Sequence, residues 1–221
     1  MTLALHDINT LAADALEEHG WTQGEMEAED GSLCLVGALR HCSPQPGDWL
    51  IAREVYRRLE HAEGWNDEKG RTEEEIVSWL RAHPVTDADL EATFGPHWEA
   101  IVRLVRRAAS LTDEQANALY AVWDAAVDAA RSAAWDAAKA AAWYAAWDAV
   151  ETAAWYAARG DARSAAWDAA RSAAWDAAKA LVVADLVGQH GLTQDHVDTL
   201  LAPWVSVMGD PRDVVARRGD A

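Results

Sequence analysis

At 221 residues the chain has room for one large domain or two small ones with a real core. Thirty-seven acidic residues against nineteen basic give a formal charge of −18, with −11 on residues 1–112, −4 on 113–180 and −3 on 181–221. No basic stripe interrupts that field, so direct binding to a nucleic-acid backbone or an anionic membrane is disfavoured, while basic partners are attracted.

The opening MTLALHDINTLAAD carries acids where a secretory leader would be basic and then apolar, and no apolar run is long enough to span a bilayer. The chain therefore reads as cytoplasmic. Strand signals are nearly absent and caps recur, which predicts an all-α fold. A first helix is expected from about Thr2 to His19, with Leu5, Ile8, Leu11, Ala12 and Leu16 on one face and a stop at Gly20. A second spans LCLVGALRHC and ends before SPQPG. It carries Cys34 and Cys42, which stand eight apart, or roughly 12 Å on a helix, too far for a bridge; two reduced thiols are expected.

A third helix starts at Asp48 with Leu50, Ile51, Val55, Tyr56 and Leu59 facing inward. The stretch WNDEKGRT predicts a turn on Asn66, Asp67 and Gly70 that leads into Thr72, with Trp65 as its anchor. Thr72 with Glu75 forms a capping box for EEIVSWLRAH, and Thr86 caps a short helix. Pro96 opens another helix that runs through Arg107, and Thr112 with Gln115 forms a second box. Residues 1–110 thus read as a compact N-terminal helical domain.

The next segment, 111–190, is an Ala/Trp array. From Ala121 to Ala180 it divides into fifteen four-residue units without a frame slip. Ala fills the first position in fourteen units and the second in thirteen. The third holds Trp123, Trp135, Trp143, Trp147, Trp155, Trp167 and Trp175, or the cations Arg131, Lys139, Arg159, Arg163, Arg171 and Lys179, with Val127 and Glu151 completing the set. Alanine at this density means helix. Aspartates three residues before a cation, as in Asp168–Arg171 and Asp176–Lys179, are helical neighbours. A cation four residues after a Trp can lie over its indole.

Four residues advance about 400°, so successive units drift about 40° and the indoles cannot form one straight stripe. Different Trp residues are expected to face different neighbours. ARGDARS offers a break, with Gly160 as a C-cap and Asp161 as the next N-cap, and predicts a helical hairpin there. The segment 191–221 follows: Thr193 caps QDHVDTLLA, Pro203 ends that helix, WVSVMG packs back, and DPRDVVARRGDA forms a loose tail.

No P-loop, dinucleotide-binding fingerprint, nucleophile elbow or H-E-x-x-H occurs. The set Cys34, His41, Cys42 and His61 matches no structural zinc spacing, and His190, Asp195 and His196 fit capping or surface roles better than ligation. No cofactor and no metal are expected. The Trp residues of the array, with Arg131, Arg163 and Arg171, are the candidate interaction surface, for self-association, another protein or a small planar ligand. Trp65, Asn66, Asp67, Arg71 and Thr72 form a second motif, read as a capped turn locked by a buried indole.

Together with GWTQG and DGSLCLVGAL, that turn resembles a family of small helical actinobacterial and actinophage proteins of unknown function, over roughly residues 8–82. The resemblance implies a source and a helical fold, and it brings no activity. The sequence as a whole points to a non-enzymatic structural or protein-interaction module whose array packs helices and self-associates. The alternatives are a phage-type factor that binds a cellular target through acidic surface, as a decoy, and a planar-ligand binder in a Trp-lined groove.

Overall fold

Thr72 begins the local logic of the fold: its hydroxyl accepts from Glu75 N (3.3 Å), and the Glu75 carboxylate accepts from Thr72 N (3.1 Å). The same reciprocal geometry joins Thr112 to Gln115 and Thr193 to His196, and Thr86 does likewise with Asp89. Each box satisfies two backbone donors that a helix start would otherwise leave open. The computed structural model describes residues 3–58, 65–125, 128–141, 154, 165–189 and 191–213. Its ordered elements are helices, so the fold is all-α, and the described residues hold only two isolated β-bridges besides. No helix among the described residues is long and apolar enough to cross a membrane.

The chain divides into two units, Met1–Thr93 and Phe94–Ala221. In the first lie α1 (Leu3–His6), α2 (Ile8–His19), α3 (Leu35–His41), α4 (Asp48–Arg58), α5 (Glu73–Ala82) and nearly all of α6 (Asp87–Phe94). Helix α2 is central and packs on α3, α4 and α5. Leu5, Ile8, Ala12 and Leu16 are buried as their spacing predicts, but Leu11 is 39% exposed because it sits off that seam. The expected first helix also divides at Asp7.

The motif LCLVGAL acquires a physical reason here. Cys34 is the N-cap of α3, its sulfur accepting from Gly37 N at 3.3 Å, and Cys34 N donates to Met26 O at 3.1 Å. That bond brings the Met26 carbonyl against Gly37, where an added Cβ would lie 1.8 Å from the oxygen. Leu33 N donates to Gly20 O and Thr22 N to Leu33 O, so the loop from Gly20 to Cys34 is folded back on itself.

The second unit contains α7 (Trp98–Ala109), α8 (Asp113–Ala125), α9 (Asp128–Ala141), α10 (Ala165–Val183) and α11 (Gln194–Met208). Helix α10 is its centre and packs on α7, α8, α9 and α11. The predicted turn at Gly160 lies outside the described residues. The expectation that Pro203 ends its helix is wrong: α11 continues to Met208 with Pro203 inside it. An interior proline costs about 3 kcal/mol, but Val197, Leu200, Leu201, Pro203 and Trp204 are all buried, and that burial holds the helix through the defect. The start of the expected loose tail is also tied down. Arg103 Nε donates to Pro211 O (2.9 Å), Arg107 donates to Met208 O (3.0 Å), and Arg212 pairs with Asp210, holding that carboxyl below its ordinary range.

Gly37→Ala tests the close approach of the 20–34 loop. Because the obstructing atom is backbone, the substitution should destabilise the protein by about 3 kcal/mol, read from urea unfolding followed at 222 nm.

Candidate functional site

Two side-chain clusters stand out, one in each unit. In the first, the turn at Trp65–Asp67 is built around one amide. Asn66 Oδ1 accepts from Trp21 Nε1 (2.8 Å) and Leu35 N (3.1 Å), while Nδ2 donates to Thr22 O (3.2 Å) and Asp67 Oδ1 (2.8 Å). An asparagine side chain offers two donors and two acceptor lone pairs, and here all four are used. Asp67 Oδ1 also accepts from Gly24 N (2.9 Å), and Gln23 donates to the carbonyls of Asn66 and Glu68. The turn therefore clamps the GWTQG loop and the first N–H of α3.

An aromatic wall backs this clamp. Trp65 lies 5.7 Å from Trp79 and 6.1 Å from Tyr56, ring centre to ring centre, and Trp79 stacks on His83 at 4.4 Å. The Arg71 guanidinium covers Trp65 at 4.4 Å, donates to Trp65 O and pairs with Glu68 and Glu75. Burial pushes the Tyr56 phenol upward, so it stays a neutral hydroxyl. The structure thus places Trp65, Asn66, Asp67, Arg71 and Thr72 in one capped turn, but the indole expected to be buried is half-buried, with the Arg71 guanidinium over its ring. It adds Trp21, Gln23, Tyr56 and Trp79, which sequence reasoning missed as partners. GWTQG was a visible signal, but nothing local links it to a turn forty-five positions away.

The cluster in the second unit carries the logic of the array. Lys179 is 1% exposed. Its ammonium sits 3.5 Å from the ring centre of Trp175, one turn back on α10, and 3.8 Å from that of Trp135 on α9. The two indoles meet edge to face at 5.0 Å, and Trp135 Nε1 donates to buried Asp176 at 2.7 Å. A cation held between two desolvated indole faces is stabilised by about 2 kcal/mol or more. Trp167, 8% exposed, donates from Nε1 to Asp113 at the start of α8 (3.0 Å).

Arg171 donates to Trp167 O and pairs with Asp168, the three-residue spacing expected. The side chains of Trp123 and Arg131, and Trp143, Trp147, Trp155 and Arg163 entirely, lie outside the described residues. Lys179 and Asp176, neighbours by their spacing in the sequence but left out of the candidate surface, belong to this cluster, and the pattern W-D-x-x-K was their signal.

Both thiols are free, at opposite ends of α3, and burial pushes each upward, Cys42 to about 11. Among the described residues no three His, Cys, Asp or Glu side chains form a metal-holding group.

Residues 2–83 match a family described as a family of unknown function (DUF6197). The match spans the stretch that carries the Cys-Leu-Val-Gly-Ala helix and the Trp-Asn-Asp turn. Neither the curated proteins nor the solved structures contain a match to the chain.

Asn66→Ala leaves the Trp21 indole and the Leu35 amide without their acceptor, and should cost about 2–4 kcal/mol in thermal or urea unfolding. Lys179→Ala opens a cavity between two indoles and should cost about 3 kcal/mol. Lys179→Met keeps the volume but removes the cation from the two indoles and from buried Asp176 three residues before it, so it should still cost about 2 kcal/mol or more, measured by denaturation followed through tryptophan emission.

Proposed function

We propose that the chain is a non-enzymatic structural or protein-interaction module in which the Ala/Trp array builds a helical scaffold and mediates self-association. What carries the reading is the use made of the array's three described indole side chains. Trp167 bonds Asp113, and Trp135 with Trp175 encloses Lys179. Indoles engaged in this way act as packing elements, and the same W-D-x-x-cation unit gives further copies a means to pair helix with helix. We place the protein in the cytoplasm of an actinobacterium or an actinophage host, on the motifs of its first eighty or so residues and on the composition of the chain. The array (111–190) is the packing element, with 1–110 and 191–221 as its flanking parts.

A second reading rests on charge. With −18 overall and Glu25, Glu27, Glu29 and Asp30 exposed on the 20–34 loop, the surface suits capture of a basic, nucleic-acid-binding protein by imitation of a polyanion.

The test is tryptophan emission with acrylamide quenching on the full chain across a concentration series, with sedimentation equilibrium on the same samples. Blue-shifted, poorly quenched emission at every concentration, with a mass above that of one chain, is the expected result. Red-shifted emission that quenches readily in dilute samples would make the array an exposed binding surface. A single-chain mass throughout would remove self-association.

A further inference from the structure

The described histidines fall into two groups. His6 pairs with Asp87 (3.0 Å), His83 meets Trp79 O (2.8 Å), His97 pairs with Asp185 (2.8 Å), and His196 closes a capping box. His19 and His41 are different: both are exposed, and among the described residues each ring meets only the other, centre to centre at 4.6 Å and inclined by 62°. One ends α2 and the other ends α3.

We propose that His19 and His41 form a two-imidazole site for a borderline divalent transition ion of the Zn²⁺, Ni²⁺ or Cu²⁺ class, with water in the remaining positions. Neutral imidazole is the commonest protein ligand for such ions. An ion with metal–nitrogen bonds of about 2.0–2.1 Å and ligand angles near 90–110° places two ring centres about 4.5–5.2 Å apart, and the observed separation falls inside that window.

The rings belong to two helices that pack on each other within one unit, so the backbones that carry them are held in place before an ion arrives. Both rings stand at helix C-termini, where the partial negative charge of the carbonyl ends favours a cation. The formal charge of −18 adds a long-range attraction of the same sign. Neighbouring groups are committed elsewhere: Glu17 is held by Arg81 at 2.6 Å, and the Cys42 thiol meets the carbonyls of Ile8 and Leu39 at 3.7 Å. The donor set is therefore nitrogen, which selects against Mg²⁺ and Ca²⁺.

The experiment titrates Zn²⁺ into the untagged, chelator-stripped full chain, by calorimetry and by NMR of the histidine ring protons. The expected result is one saturable site per chain, with the His19 and His41 signals moving together and no competition from millimolar Mg²⁺. His19→Gln and His41→Gln should each weaken binding at least tenfold, while His6→Gln leaves it unchanged. Because both rings are exposed, the variants should keep the parent's helical spectrum and melting midpoint. Absence of saturable binding, or an affinity that survives both substitutions, would overturn the assignment.

Discussion

A helix made mostly of alanine has little to bury, about 0.8 kcal/mol for each methyl-sized group removed from water. Such a helix must come very close to its neighbours to gain anything from them, and α10 does so on several sides. Ala169, Ala170, Ala173, Ala174, Ala177, Ala178 and Ala180 are all buried, with α8 and α11 as the principal partners. Close approach maximises dispersion contacts that are individually tiny. The indoles add the bulk that alanine lacks, and their polar atoms find partners: Asp113 for Trp167, and Asp176 for Trp135. Lys179 belongs to the same solution, since its stem is apolar and its ammonium finds two π faces in place of water.

The first unit meets a different constraint by different means. Its helices carry ordinary Leu, Ile and Val cores, and the difficulty lies in the loop between α2 and α3. That loop has backbone groups which no helix satisfies: Thr22 O accepts from the Asn66 amide and Gly24 N donates to the Asp67 carboxylate, while the loop's own Gln23 donates back to the carbonyls of Asn66 and Glu68. Gly37 permits the last step, the approach of the Met26 carbonyl to the face of α3. Polar convergence at Asn66 and apolar convergence around Trp65, Tyr56 and Trp79 are two sides of one joint.

Interactions that act over three or four residues were readable in advance. Thr72, Thr86, Thr112 and Thr193 all cap as their spacing indicates, and the stacking of a cation on the preceding Trp is realised at Lys179. Features fixed by distant partners were not. The bond between Trp21 and Asn66 joins loops whose only shared mark is a polar composition. Pro203 misled because its local penalty is real, and only the burial of Leu200, Leu201 and Trp204 around it shows why the helix tolerates it. Burial of Lys179 was equally hidden, since a lysine in a repeat reads as solvated until both of its indoles are placed.

The drift of the four-residue repeat decides what kind of surface the array can offer. Trp167 and Trp175 stand eight residues apart, about 80° around the helix. They reach different neighbours, the start of α8 for one and Trp135 of α9 for the other. A groove lined by a continuous row of indoles needs the rings to share a face, and a period of four on an α-helix forbids that beyond two or three units. A partner that engages such an array must therefore follow the same rotation. A helix with the same repeat does so by construction, whereas a flat ligand meets at most one or two rings. Within the self-association we propose, the sequence period therefore suits pairing of like helices better than a planar-ligand groove.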